Sequence, residues 1–192
     1  MVKKESTFFN MLITLFLVTF VASTALAFIY EITKGPIEMA RLAKKLAAID
    51  QVVTEYDNNP VDDMYFIASV DGTDSLELYP ARKNGELIGV AIRSYSKNGY
   101  GGLIWIMVGI KPDGKIQDAT VIEHKETPGL GTKMAEPLFK DQFKNLDPDQ
   151  TALKVKKDGG DIDAITAATI SSRAFCEAVQ LALDSYEKGG LQ

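Results

Sequence analysis

Two short stretches of this chain carry residues that could do chemistry. The first, "ITAATISS" at 165–172, holds Thr166, Thr169, Ser171 and Ser172 around two alanines, without a charge, directly before an amphipathic run. Apolar residues at Ala174, Phe175, Ala178, Val179, Ala182, Leu183 and Tyr186 mark that run as a helix from about Ile170 to Glu187. Thr169 then sits at or next to its N-cap. One reading is a cap whose hydroxyl accepts a backbone N–H, worth about 1 kcal/mol. The other is a hydroxyl to which a group is attached, because a helix start offers free N–H groups and a positive dipole end to a phosphate. The second stretch, His124-Lys125-Glu126-Thr127-Pro128-Gly129-Leu130-Gly131, follows a strand-like segment. Its Pro-Gly-Leu-Gly is a tight turn whose glycines let a flat ligand approach the backbone.

The elements that position these stretches follow from pattern and punctuation. Strand-like segments at Leu76–Arg82, Leu87–Tyr95, Leu103–Lys111 and Ile116–His124 are separated by Lys83-Asn84-Gly85, by Asn98-Gly99-Tyr100-Gly101-Gly102 and by Pro112-Asp113-Gly114. Consecutive antiparallel hairpins are expected. A short helix at Met134–Lys140 and a short strand at Leu153–Lys156 follow, and Asn58–Ser75 reads as loop. Strands with helices at their ends make the fold class α+β. Asp158-Gly159-Gly160-Asp161-Ile162-Asp163 lacks the spacing and closing Glu of a calcium loop and reads as a solvated turn.

Upstream, Phe8 to Tyr30 runs 23 residues without a charge. As a helix it would extend roughly 35 Å at about 1.5 Å per residue, enough to span a bilayer. A cleaved signal peptide is the rival reading, with Lys3 and Lys4 as its basic start and Ala25-Leu26-Ala27 as its cleavage site. The apolar run is longer than a usual signal core and continues past that site, which favours an anchor. Lys34, Arg41, Lys44 and Lys45 follow the span and Lys3 and Lys4 precede it, so charge alone leaves the membrane side open. Gly35-Pro36 is expected to break the helical run. Beyond it Met39, Leu42, Leu46, Ile49, Val53 and Tyr56 form one apolar stripe of a second helix, docked on its own domain or packed on a partner subunit.

Composition narrows the chemistry. The net charge of −5, with no basic block, removes the footprint of a nucleic-acid binder. One cysteine, Cys176, and one histidine, His124, exclude an internal disulfide and a Cys/His zinc or iron–sulfur site built by this chain alone. Redox chemistry would have to come from a bound organic cofactor.

With "EHKETPGLGTKM" (123–134) and "DAITAATIS" (163–171) behind one apolar span, the chain resembles the FMN-binding domain family. That family includes the G subunit of the Rnf electron-transport complex and the related C subunit of the sodium-pumping NADH:quinone oxidoreductase. The compact length and "GYGGLIWIMVGI" from Gly99 favour the former. The resemblance implies FMN attached through its phosphate to the last threonine of an Asp-x-x-Ser/Thr-Gly-Ala-Thr motif. Asp163, Thr166, Ala168 and Thr169 match it, and Ala167 replaces the glycine. Glu126, Thr127, Gly129, Leu130 and Gly131 are carried over as cofactor contacts, with Lys133, Tyr100, Ile170 and Ser171 as further ones. No catalytic residue and no metal ligand are implied.

The domains implied are a basic tail at 1–7, a transmembrane helix at 8–30, an amphipathic helix and loop at 31–75, and an FMN-binding domain at 76–192. The expected function is an electron-transfer subunit of an ion-translocating ferredoxin:NAD+ oxidoreductase, moving Na+ or H+ and turning over neither substrate alone. Expected partners are other Rnf-type membrane subunits, membrane lipid and a flavin transferase that uses FAD. The expected place is the inner (plasma) membrane, single-pass, with the main domain on the extracytoplasmic side. Two other functions fit the residues: a membrane-tethered flavoprotein carrier or reductase outside such a complex, and a flavin-free assembly or solute-binding module.

Overall fold

The computed structural model describes residues 7–189; Lys3 and Lys4 lie outside them. Two compact units divide at Ala43/Lys44. In the first, the helix α1 (Phe8–Val52) begins at the apolar run. Its threonine hydroxyls bond back to the helix itself. The hydroxyls of Thr14, Thr19, Thr24 and Thr33 donate to the carbonyls of Asn10, Leu15, Phe20 and Ile29 at 2.7–2.9 Å. That internal satisfaction suits a medium without water.

The expected break at Gly35-Pro36 does not occur, since α1 runs through Pro36 to Val52. A proline inside a helix forfeits one N–H bond and crowds the carbonyl four residues back, but its further clash with the residue before it is reduced at Gly35, which has no Cβ. The fixed φ of proline is itself helical. The apolar stripe is real only at its end: Met39 and Leu42 are exposed, while Ile49, Val52 and Val53 are buried.

The second unit, from Lys44, is built on a sheet of five antiparallel strands in the order β1-β2-β3-β4-β5. They are β1 (Tyr65–Ala68), β2 (Ser75–Lys83), β3 (Glu86–Gly99), β4 (Gly102–Ile110) and β5 (Ile116–Glu123). Four match the sequence expectation. β1 lies inside the segment read as loop, a four-residue edge strand paired through Ile67 opposite Leu76. After β5 come a 3-10 turn at Gly131–Ala135, the one-turn helix α2 (Pro137–Lys140) and a further 3-10 turn at Asp141–Phe143, in place of the single helix expected at 134–140. Leu153–Lys156 is not a strand: it makes one parallel bridge, Val155 to Ile162, and turns into a 3-10 turn at Lys156–Asp158. The helix α3 (Thr169–Gly189) closes the unit.

Both sheet faces are covered. On one, Leu78, Ile92, Ile106 and Val108 pack with Ala174, Phe175, Ala178, Val179 and Ala182 of α3. Phe175 also meets Phe139 and Phe143, with ring centroids at 5.3 and 4.8 Å. Truncating such a buried ring to alanine costs roughly 3–5 kcal/mol. The hydroxyl of Ser94 donates to the carbonyl of Ala178 at 2.7 Å, fixing β3 along α3. On the other face Tyr79, Ala91 and Met107 receive Ala48, Ile49, Val52 and Val53 from the end of α1. There Glu77 accepts from Lys45 at 2.8 Å, from Arg93 at 2.9 Å and from the Tyr79 hydroxyl. The Arg93 guanidinium in turn lies 3.7 Å over the Trp105 ring.

Candidate functional site

The turn before α3 is held from several distant places in the sequence. The Asp163 N–H donates to Gln142 Oε1 at 2.8 Å, and Gln142 Nε2 donates to the Asp163 carbonyl at 3.2 Å. The Asp163 carboxylate pairs with Lys156 at 2.8 Å in an exposed bridge that contributes little. The Ala168 N–H then donates to the Ile165 carbonyl at 3.0 Å, closing a β-turn. Its third residue, Ala167, has φ +62°. Glycine or asparagine ordinarily occupies that place, so Ala167 stands where the resembled motif carries its glycine. A left-handed alanine costs roughly 1–2 kcal/mol.

The three other hydroxyls of the 165–172 stretch divide the work unequally. Ser172 is buried; its Oγ accepts the Ile165 N–H at 2.9 Å and donates to the Ala168 carbonyl at 3.0 Å. Ser171, also buried, donates to Glu126 Oε2 at 2.6 Å. Thr166 is exposed and has no hydrogen bond to the described residues.

Thr169 is the first residue of α3 rather than its cap. The Ala168 carbonyl accepts the first helical bond, from Ser172 at 3.1 Å. The side chain of Thr169 is half-buried and its hydroxyl takes no partner among the described residues. The hydroxyl makes no capping bond and stands open beside the free N–H groups of the helix start. Those N–H groups, the hydroxyl and the left-handed Ala167 fit a phosphate-bearing group.

Facing this turn is the 126–131 loop. The Thr127 carbonyl accepts from Leu130 at 3.2 Å and from Thr132 at 3.4 Å, and Gly129 has φ +75°. The Gly129 N–H donates to the Thr132 hydroxyl at 2.9 Å. Glu126 is 5% exposed; Oε1 accepts the Gly101 N–H at 2.9 Å and Oε2 the Ser171 hydroxyl. The Glu126 N–H donates to His124 Nδ1 at 3.2 Å. Glu126, Gly131, Ser171 and the hairpin bearing Tyr100 thus meet at one point. Tyr100, Leu130 and Ile170 each adjoin a residue of that meeting point and each is exposed.

Two hollows flank the turn. One, of about 940 Å³, runs beside α3 past Ile170, Arg173 and Tyr95. The other, of about 410 Å³, is lined by Lys133, Leu138, Phe139 and Thr166. Sequence reading missed Arg173, which grips Asp158 through two nitrogens at 2.6 Å each. Its guanidinium holds the Asp158 carboxyl below the usual carboxylate range. The spacing of Thr169 and Arg173, four apart on a helix, was the available signal.

Fold and site together define a two-sided α+β domain that presents an open threonine hydroxyl at a helix start, carried behind a long apolar helix. Residues 99–184 match the model of the FMN-binding domain. The chain is 33% identical to the G subunit of the Na(+)-translocating ferredoxin:NAD(+) oxidoreductase complex of Acetobacterium woodii, covering 93% of this chain and 91% of that one. It is 36% identical to the G subunit of the ion-translocating oxidoreductase complex of Erwinia tasmaniensis, over 80% of this chain and 78% of that one. The crystal structure of Shewanella oneidensis NqrC superposes with a TM-score of 0.49 at 21% identity, covering 75% of this chain and 70% of that one. The chain belongs to the family of ion-translocating oxidoreductase complex G subunits and carries their FMN-binding domain. Its helix Phe8–Val52, long and apolar enough to cross a bilayer, makes it a membrane-anchored protein.

Proposed function

We propose that this chain is the electron-transfer subunit of a membrane ion-translocating ferredoxin:NAD+ oxidoreductase complex, carrying electrons on FMN joined through its phosphate to Thr169. One observation carries the site: a partly buried Thr169 whose hydroxyl has no partner among the described residues, at the first residue of α3, two residues after a left-handed Ala167. FMN supplies the electron-accepting ring when bound. The chain's residues do the rest. The helix start receives the negative phosphate. The 126–131 loop, with Thr127, Gly129, Leu130 and Gly131, walls the site. Lys133, Tyr100, Ile170 and Ala168 complete its surroundings, with Thr166 in the turn itself and Ser171 in the first turn of α3. The domain lies on the extracytoplasmic side, where a covalent tether retains a cofactor that could not be replaced from the cytoplasm.

Attachment requires a separate flavin transferase. The Thr169 Oγ forms a bond to the FMN phosphorus of FAD, the pyrophosphate bond to AMP breaks, AMP leaves, and the hydroxyl proton is released. Neighbouring membrane subunits of the complex supply and remove the electrons. Intact mass and in-gel flavin fluorescence of the denatured protein, made together with a flavin transferase, test the reading. The expected result is a gain of one FMN less one water, mapped to Thr169. An unmodified mass, or flavin mapped elsewhere, overturns it.

A further inference from the structure

The carboxylate of Glu126 is a buried charge that the proposed electron transfer does not use. Both of its oxygens are engaged inside the protein, by the Gly101 N–H at 2.9 Å and the Ser171 hydroxyl at 2.6 Å. The backbone around it is kept bare. A methyl on Gly99 would lie 2.7 Å from Glu126 Oε1, and one on Gly131 would run into Glu126 Oε2 and come within 2.6 Å of Ser171 Oγ. A methyl on Gly101 would run into the Lys125 carbonyl. The 99–102 hairpin, the 126–131 loop and the first turn of α3 therefore close on one anion.

Burying a carboxylate is costly unless its partners are well placed, and a hydrogen bond to a charged acceptor is short and directional. The bond from Ser171 consequently ties the first turn of α3 to the 126–131 loop. Residues two apart on an α-helix point about 200° from one another. Ser171 is drawn inward, 2% exposed, and Thr169, two residues before it, points away from Ser171 and is only partly buried.

We propose that Glu126 is a positioning residue, which holds Ser171 inward and thereby presents the Thr169 hydroxyl to the enzyme that attaches the cofactor. In this role Glu126 acts through Ser171. This inference rests on Thr169 being the acceptor.

The test uses the full chain in detergent, purified flavin transferase and FAD, with attachment followed by intact mass. The variants are Ser171→Ala, Glu126→Gln, Glu126→Ala and the Glu126→Ala/Ser171→Ala pair, each with its melting temperature. The expected result is a fall of roughly 10- to 100-fold in kcat per folded molecule for Ser171→Ala and Glu126→Ala, with KM for FAD unchanged. The paired variant is no slower than Glu126→Ala alone, since both act through one bond. Glu126→Gln recovers part of the rate, because its amide oxygen still accepts. A merely structural role would lower melting temperature and leave kcat per folded molecule unchanged, which overturns the proposal. Should Glu126→Ala not fold, Ser171→Ala decides alone, and wild-type attachment by that variant is equally fatal. An unsubstituted chain that takes no flavin defeats the acceptor reading itself, whereas a modified wild type with unaffected variants defeats only the brace.

Discussion

Ser172 Oγ takes the amide hydrogen of Ile165, seven residues earlier, at 2.9 Å. The bond is buried and folds the chain back on the start of α3, so one side chain of the helix secures the 165–169 turn that precedes it. Ser172→Ala leaves the Ile165 N–H without a partner inside the protein. A loss of about 1–3 kcal/mol is expected, read from the urea midpoint.

Thr169→Ala removes a hydroxyl that holds nothing in the described structure. Stability should change by no more than about 0.5 kcal/mol, while covalent flavin disappears entirely. Denatured-gel fluorescence beside a thermal melt measures both, and residual covalent flavin would transfer the acceptor role to another hydroxyl.

Ala167 sits at φ +62°, where a side chain is strained. Ala167→Gly relieves that strain and gives back part of the gain through a freer unfolded chain. A net rise of about 0.5–1 kcal/mol is expected, with flavin attachment retained. Ala167→Val should lower the melting temperature, because a branched Cβ tolerates this region less than alanine does.

Glu77 gives stability a defined acid dependence. Burial works against its charge, but the bonds from Lys45 and Tyr79 and the charges of Arg93 and Lys45 outweigh it and hold its carboxyl below the usual range. A depressed folded value means the contribution is fully present above the unfolded pKa of about 4.3 and lost as pH falls through the folded one. Glu77→Gln should cost about 1–2 kcal/mol at pH 7. The gap between the proteins should close below about pH 4 in denaturant titrations.

Cys176 is 2% exposed, and burial pushes its thiol up to about 12. At pH 8 roughly one molecule in ten thousand carries the thiolate. Iodoacetamide should leave the native protein unlabelled and modify it only on unfolding, so labelling rate tracks opening of α3. Rapid labelling without loss of helix signal would contradict the packing described.

The central strands were legible because their borders are chemical. Asn84 and Gly85, with φ +53° and +85°, turn β2 into β3 as an Asn-Gly pair should. β1 escaped because four residues among Asp and Asn carry too little periodicity, and only pairing with β2 makes them a strand. The Leu153–Lys156 run reads as strand by composition, yet Gly159-Gly160 returns the chain after a single bridge. Within the site, the place of Thr169 at the start of an apolar helix was legible, whereas its role as acceptor came only with the family resemblance. The burial of Glu126 was not legible, since a glutamate in a Pro-Gly loop reads as solvated. Its trace in the sequence is a distributed set of glycines, Gly99, Gly101 and Gly131, which reveals nothing until the fold brings them together.

The sheet is a plain meander, each strand paired with the next, so its hairpins can close in the order in which the chain is made. The turn before α3 follows another rule, because it needs Gln142, Glu126 and Ser172 together, and Ser172 comes with the last helix. A chain that has not yet docked its C-terminal helix has no finished turn to offer. Cofactor attachment at Thr169 would then act as a maturity stamp, marking only those molecules whose folding is complete.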